Sequence, residues 1–320
     1  MIKTAMLVSN VKILLTGGAG FVGSFVKREL IRKGAHEENI FIPRSDVHDL
    51  REKGVCVEVT HGKDLVIHLA GRVGGIKFNK ENPASLFYDN AAMALNLIDA
   101  AYKNGVKKFV GIGSVCEYPK FAAVPFREEE LWDGYPEESN GAYGLAKKFM
   151  LVQSQAYAAQ YGFNAVHLLM INLYGPGDNF SLDHSHVIAA LIRKVVETKH
   201  ENKPYIGAWG TGKATREFLY VEDAAEAIVL AAEKYDKPEP VNIGSGMEIS
   251  IKDLAETICR LADYKGEIRW DASKPDGQMR RKLDVSKAAR EFGFYAKTDF
   301  ERGLRKTIEF YENNTRYSNA

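Results

Sequence analysis

Through the first half of the chain, short solid runs of apolar and β-branched residues alternate with stretches whose apolar positions recur every three or four residues. "VKILLTG" predicts a strand, "FVGSFVKRELIRKG" an amphipathic helix, "NIFIP" a second strand and "KDLVIHLAG" a third. The long helical pattern "ASLFYDNAAMALNLIDAAYKNG" follows, then the strand "KKFVGIG", a helix across 141–161 and the strand "NAVHLLMINLYG". Such alternation predicts a parallel sheet with helices on both faces, because each right-handed crossover lays a helix on the sheet. "DLREKGVCVEV" is ambiguous: the topology asks for a helix there, whereas its valines favour a strand.

After residue 175 the rhythm changes. "HVIAALIRKVVETK" reads as a helix and "REFLY" as a short strand ahead of "VEDAAEAIVLAAEKY". "PVNIGSG" resembles one more strand of the sheet. "SIKD" opens a helix with capping-box spacing from Ser250 to Asp253, and "TDFERGLRKTIEFYEN" supplies a last helix. The fold class expected is α/β: a Rossmann-type doubly wound parallel sheet with a smaller C-terminal α+β part. The sheet domain would span 11–178 plus about 217–245. The second part would take 179–216 and 246–314, with no Gly/Ser linker between them and hence a continuous interface.

A length of 320 residues allows a large core, and 45% hydrophobic with 27% charged residues is ordinary for a globular protein. A formal net charge of +1 argues against a nucleic-acid backbone or an anionic membrane as partner. No apolar run approaches the ~18 residues of a membrane span. The opening "MIKTAMLVSN" lacks a cleavage-site pattern, so a cytoplasmic location is expected. Cys56, Cys116 and Cys259 are odd in number and far apart, which suits neither a disulfide framework nor a metal cluster.

Two places then suggest chemistry. "LLTGGAGFVG" sets Gly17, Gly20 and Gly23 between a strand and a helix, where a pyrophosphate can approach backbone amides at the helix N-terminus. At the end of the second strand, "FIPRSD" offers Arg44 and Ser45 for a 2′-phosphate, favouring NADP, with Asp46 close by and NAD as the alternative. "AYGLAKK" puts Tyr143 and Lys147 four residues apart, on one face of a helix. An ammonium beside a phenol favours phenolate, and Ser114 at the end of the preceding strand could donate a hydrogen bond to a carbonyl being reduced.

With these residues in view, the chain resembles the extended short-chain dehydrogenase/reductases that act on nucleotide sugars, and within them the GDP-L-fucose synthase family. The resemblance runs from about residue 12 to residue 312. It includes "RVGGIKFNKENPASLFYDN", "GSVCEYPK", "NLYGPGDNF", "SHVIAALIRK", "WGTGKATREFLYVEDAA" and "ASKPDG". It implies 3,5-epimerisation and then NADPH-dependent 4-keto reduction of a GDP-4-keto-6-deoxymannose-like substrate. Ser114, Tyr143 and Lys147 would be the reductase triad, Cys116 the epimerising base and His186 its partner acid. Cofactor contacts would come from Gly17, Gly20, Phe21, Val22, Gly23, Arg44, Asn90, Lys147, Met170, Asn172, Leu173 and His186. The GDP-sugar would meet Asn172, Lys194, Trp209, Arg216 and Asp276. The family is commonly homodimeric through a helix pair, and no metal is implied.

Each assignment has a plainer rival in the sequence itself. Cys116 could be core packing, Trp209 could pack rather than stack on guanine, and "HSHVI" offers His184 beside His186. The chain also departs from the family pattern. Gly18 and Ala19 replace a histidine and an arginine, an arrangement more typical of NAD-using epimerases. Lys194 replaces an arginine, reducing a bidentate phosphate contact to a point charge. Val115 and Glu117 stand where the family is less bulky or apolar, and "FREEELWDGYPEESNGAYG" differs from the corresponding loop. Two other substrate readings therefore stay open: a related 4-keto heptose nucleotide, or a redox-neutral NAD-dependent epimerisation.

Overall fold

The computed structural model describes residues 6–181, 185–274 and 276–316. In chain order the first elements are β1 (Ile13–Thr16), α1 (Phe21–Arg32), β2 (Ile40–Phe41), α2 (Lys53–Thr60) and β3 (Leu65–His68). Then come α3 (Ile76–Glu81), α4 (Pro83–Lys103), β4 (Lys108–Ser114), α5 (Gly141–Tyr161), β5 (Ala165–Met170) and β6 (Asn172–Tyr174). The remainder comprises α6 (Val187–His200), β7 (Tyr205–Trp209), β8 (Thr215–Arg216), β9 (Phe218–Tyr220), α7 (Val221–Lys234) and β10 (Val241–Ile243). Last are β11 (Ile249–Ser250), α8 (Ile251–Leu261), β12 (Glu267–Asp271), β13 (Arg280–Arg281), α9 (Ser286–Phe292) and α10 (Phe300–Arg316).

Six strands form one parallel sheet in the order β10-β5-β4-β3-β1-β2. Strands buried on both faces explain the solid apolar runs. Ile13 and Leu15 enter one core with α1 and α7, while Leu14 between them enters another with α2, α4 and α5. Leu65 and Ile67 against Val66 repeat that alternation. The sheet order reverses beside β1, so the C-terminal ends of β1, β3, β4 and β5 open onto one crevice, where ligands of such sheets bind. A separate core of α6, α8, α10 and β7 forms the second layer of the molecule.

The ambiguous 49–59 stretch resolves as a helix, α2. Cys56, Val59 and Thr60 bury one side of it at helical spacing, so the crossover outweighs the β-propensity of its valines. Two strand expectations need correction. "NAVHLLMINLYG" is not one strand: after Met170 the Ile171 amide bonds to Ile243, and β6 leaves the large sheet to pair with β9. "REFLY" likewise splits at Glu217. β8 pairs with β11 and β13, whereas β9 pairs with β6. The fully buried Glu217 carboxylate takes the amides of Gly246 and Leu283, locking the chain where it changes sheets. The Ser250 hydroxyl accepts the Asp253 amide at 3.0 Å, so the cap read from the spacing forms. No described helix is long and apolar enough to cross a membrane.

Candidate active site

The loop after β1 is built around glycines that nothing else could replace. Gly17 has φ of +69°, and a Cβ on it would come within 2.7 Å of the Ala70 backbone. A Cβ on Gly23 would strike the Gly17 carbonyl at 2.1 Å, so α1 can press against the turn only without a side chain there. Gly20 caps the N-terminus of α1 with no side-chain bond, which leaves the first amides of the helix facing a single large cavity of about 1660 Å³. The donor set and the cradle fit a dinucleotide pyrophosphate.

That cavity runs the length of the crevice. Gly17, Gly20, Phe21, Val22, Gly23 and Arg44 line one end. Ser114, Cys116, Tyr143 and Lys147 line the middle, beside Met170, Asn172 and Leu173. His186, Lys194, Trp209, Arg216 and Asp276 line the far end. Among the site residues expected from the sequence, Asn90 does not line it. It is buried behind the wall, where its amide accepts from and donates to the Arg72 backbone, and it holds the 71–72 loop. His184 lies outside the described residues.

β4 ends at Ser114, and the chain turns at once through a 3₁₀ segment, Val115–Glu117. The Ser114 hydroxyl accepts the Cys116 amide at 3.1 Å, which fixes the thiol beside the hydroxyl. Helix α5 approaches this turn closely because residue 144 is glycine; a Cβ there would meet the Cys116 carbonyl at 2.2 Å. The same helix carries Tyr143 and Lys147 on one face, with Lys147 Nζ 6.0 Å from the Tyr143 ring centre. Lys147 donates to the Ile112 carbonyl at 2.9 Å. Burial lowers its pKa to about 8, with the Glu117 charge opposing. Burial raises the Tyr143 phenol well above its usual range, helped by the negative charges of Cys116 and Glu117, while a hydrogen bond with Ser114 works the other way. His186, exposed on the cavity wall at the start of α6 yet enclosed by the cleft, is pushed down by desolvation.

At the far end, Trp209 stands largely exposed between two cations, with Lys194 Nζ 5.9 Å and Lys274 Nζ 5.8 Å from its ring centre. Asp276 accepts the Thr211 amide at 2.7 Å and the Thr211 hydroxyl at 2.8 Å, shaping the turn that follows Trp209. Arg216 is lowered to about 10, first by burial and then by repulsion from Arg281. At the opposite end Arg44 is exposed, 3.9 Å from Asp46, whereas Arg51 is clamped by Asp49 and Asp89.

Sequence reasoning missed several residues that build the site. Arg281, in a run of exposed-looking charge, reaches Cys116 only because β13 pairs with β8. Asp178 also lines the cavity; burial raises its carboxyl to about 7, and one of its oxygens has no partner among the described residues. Gly144 carried no signal beyond its place between the tyrosine and the lysine.

A doubly wound parallel sheet, a glycine loop at its switch point, and Ser, Tyr and Lys at one crevice define a Rossmann-type enzyme that works with a nicotinamide dinucleotide. More particularly, the chain belongs to the NAD dependent epimerase/dehydratase family, whose model matches residues 13–244. It is 41% identical over 312 residues to a GDP-L-fucose synthase of Sinorhizobium fredii, covering 96% of this chain and 98% of that one. Among solved structures it resembles a GDP-6-OMe-4-keto-L-xylo-heptose reductase from C. jejuni, with TM-score 0.89, 27% identity, and 97% and 99% of the two chains covered. It also resembles a GDP-L-fucose synthetase from Naegleria fowleri bound to NADP, with TM-score 0.87, 28% identity and 98% of both chains covered.

Proposed function

We propose that this chain converts a GDP-4-keto-6-deoxymannose-like substrate to GDP-L-fucose or a close relative, by 3,5-epimerisation followed by NADPH-dependent reduction at carbon 4. The observation that carries the reading is that one cavity holds both chemistries: Ser114, Tyr143 and Lys147 for a carbonyl, Cys116 and His186 for protons. The similarity to GDP-L-fucose synthases over nearly the full length supports the same substrate class.

NADPH would supply the hydride; the chain's own residues do the rest. The glycine loop would hold the pyrophosphate, Arg44 the 2′-phosphate, and Lys147 the nicotinamide ribose. Ser114 and Tyr143 would donate to the sugar's carbon-4 oxygen, which acidifies the hydrogens on carbons 3 and 5 and later stabilises the enolate. Cys116 would remove one such proton and His186 return one on the opposite face, inverting the centre. Tyr143 would then protonate the oxygen as carbon 4 is reduced. Its raised pKa keeps the phenol protonated for that step. Lys194, Arg216 and Asp276 would organise the diphosphate end, and Trp209 would stack on the base.

A second reading rests on the resemblance to the C. jejuni heptose reductase: a 4-keto heptose nucleotide in the same cavity. Incubation with NADPH and GDP-4-keto-6-deoxymannose, following nicotinamide absorbance and identifying the product, tests both. Stoichiometric NADPH loss with GDP-L-fucose formed supports the first reading; turnover without net NADPH loss means a redox-neutral epimerase. No turnover there, but reduction of the heptose analogue, favours the second. For assembly, α4 and α5 pack side by side and leave Phe87, Tyr88, Leu95, Phe149 and Val152 exposed, a surface suited to a homodimer through this helix pair.

A further inference from the structure

Glu117 follows Cys116 directly and is fully buried, as is His167 on β5. Both carboxylate oxygens lie 3.1 Å from His167 Nε2. Oε1 also accepts the Ser114 amide at 2.8 Å, while the Ser114 hydroxyl holds the Cys116 amide, so the turn is closed from both ends. Room for the pair exists because residue 113 is glycine: a Cβ there would lie 2.2 Å from His167 Nε2 and 2.4 Å from Glu117 Oε1. Neither side chain lines the cavity. A buried acid and imidazole are costly in a core, and here they sit directly behind the reacting groups.

The other ring nitrogen decides the charge state. His167 Nδ1 is buried without a partner among the described residues. An imidazolium would bury an unpaired N–H, whereas a neutral ring protonated on Nε2 leaves only an unpaired lone pair and still donates to Glu117. The pair then carries one net negative charge. Facing it from α5 are Lys147, Lys148 and Tyr143, from β5 His167 itself, and from its own turn Cys116 and Tyr118. Lys147 is faced in addition by His68 at the end of β3. The positive charges in that set are the two lysines, and Lys147 is the one in the cavity.

We propose that Glu117 and a neutral His167 form a buried anionic dyad that positions the Ser114–Cys116 turn and balances the Lys147 ammonium. The idea rests on the reading above of Ser114, Tyr143 and Lys147 as the reductive set. The Glu117 charge raises both Lys147 and Tyr143, so removing it moves both in the same direction, downward.

The test has two arms. In the unmodified protein labelled with nitrogen-15 histidine, the His167 ring, assigned by its loss in His167→Gln, should carry a proton on Nε2 and none on Nδ1 at pH 7. An imidazolium there overturns the proposal, whatever the sugar. In Glu117→Gln, the alkaline limb of the reduction rate should move to lower pH by about one unit, the scale of one nearby charge. A limb left in place, in a variant with unchanged circular dichroism, also overturns it. If Glu117→Gln does not fold, the tautomer measurement alone decides. Failure of the substrate reading would show instead as absent turnover, with the His167 spectrum unaffected.

Discussion

Arg281 Nη1 lies 3.8 Å from Cys116 Sγ, although 165 residues separate the two in the chain. Arg281 is held in place by the pairing of β13 with β8 and by Gln278, whose Oε1 it reaches at 3.2 Å. A guanidinium donating toward the sulfur holds it on the cavity wall, where a reacting carbon can reach it. Replacing Arg281 with glutamine frees the thiol and should therefore slow alkylation of Cys116 by iodoacetamide at neutral pH about tenfold, the scale of one lost hydrogen bond to a charged group. Cys56 and Cys259 are buried and should contribute little background. An unchanged alkylation rate would leave Arg281 as a residue of the cavity wall beside Arg216 and nothing more.

Cys116 itself should be required for epimerisation and only partly for reduction. In Cys116→Ser and Cys116→Ala, solvent deuterium should no longer enter carbons 3 and 5 of the 4-keto sugar at a measurable rate. Binding of the nucleotide sugar should persist, since Lys194, Trp209 and Arg216, proposed to hold its diphosphate and base, are untouched. Exchange at the unmodified rate in both variants would make the thiol a packing residue.

These two residues mark how far the sequence could be read. The alternating pattern, the glycine loop, and Ser114, Tyr143 and Lys147 are local signals: a few neighbouring residues or one helical turn carry them. The thiol was visible for the same reason, two positions past a strand-end serine. Arg281 was not, because its partner is set by strand pairing between segments far apart, and nothing in "MRRKLDV" encodes that register. The same holds for β6 and β9. Their apolar runs looked continuous with neighbouring strands, and only the buried Glu217 carboxylate and the Ile171–Ile243 hydrogen bond reveal where the chain changes sheets. His167 is one polar residue in the apolar strand β5, and its meaning depends on Glu117 from the turn after the neighbouring β4.

Arg44 bears on cofactor choice. It is exposed beside Asp46 at the end of β2, and the neighbouring Arg51 is already committed to Asp49 and Asp89. Arg44→Ala should raise the KM for NADPH about tenfold or more while leaving that for NADH nearly unchanged, as expected when a phosphate contact of about 1.5–3 kcal/mol is lost. Equal effects on both cofactors would remove Arg44 from the 2′-phosphate site.

Lys147 should show that the site is held at a cost to the fold. Burial brings its pKa from 10.5 to about 8. At pH 7 the lysine is charged in both states, but the folded state binds that proton less tightly than the unfolded one, so folding carries a penalty. Between about pH 8 and 10.5 the folded lysine is already neutral while the unfolded one still holds its proton, so this penalty fades as pH rises through that window. Lys147→Met keeps the volume and removes the charge. It should abolish reduction yet raise the melting temperature at pH 7, by an amount that shrinks steadily toward pH 10.5. A variant less stable than the unmodified protein at pH 7 would mean that the Ile112 carbonyl and Glu117 together stabilise the ammonium by more than burial costs. In that case the lysine would belong to the architecture of the fold as much as to the chemistry.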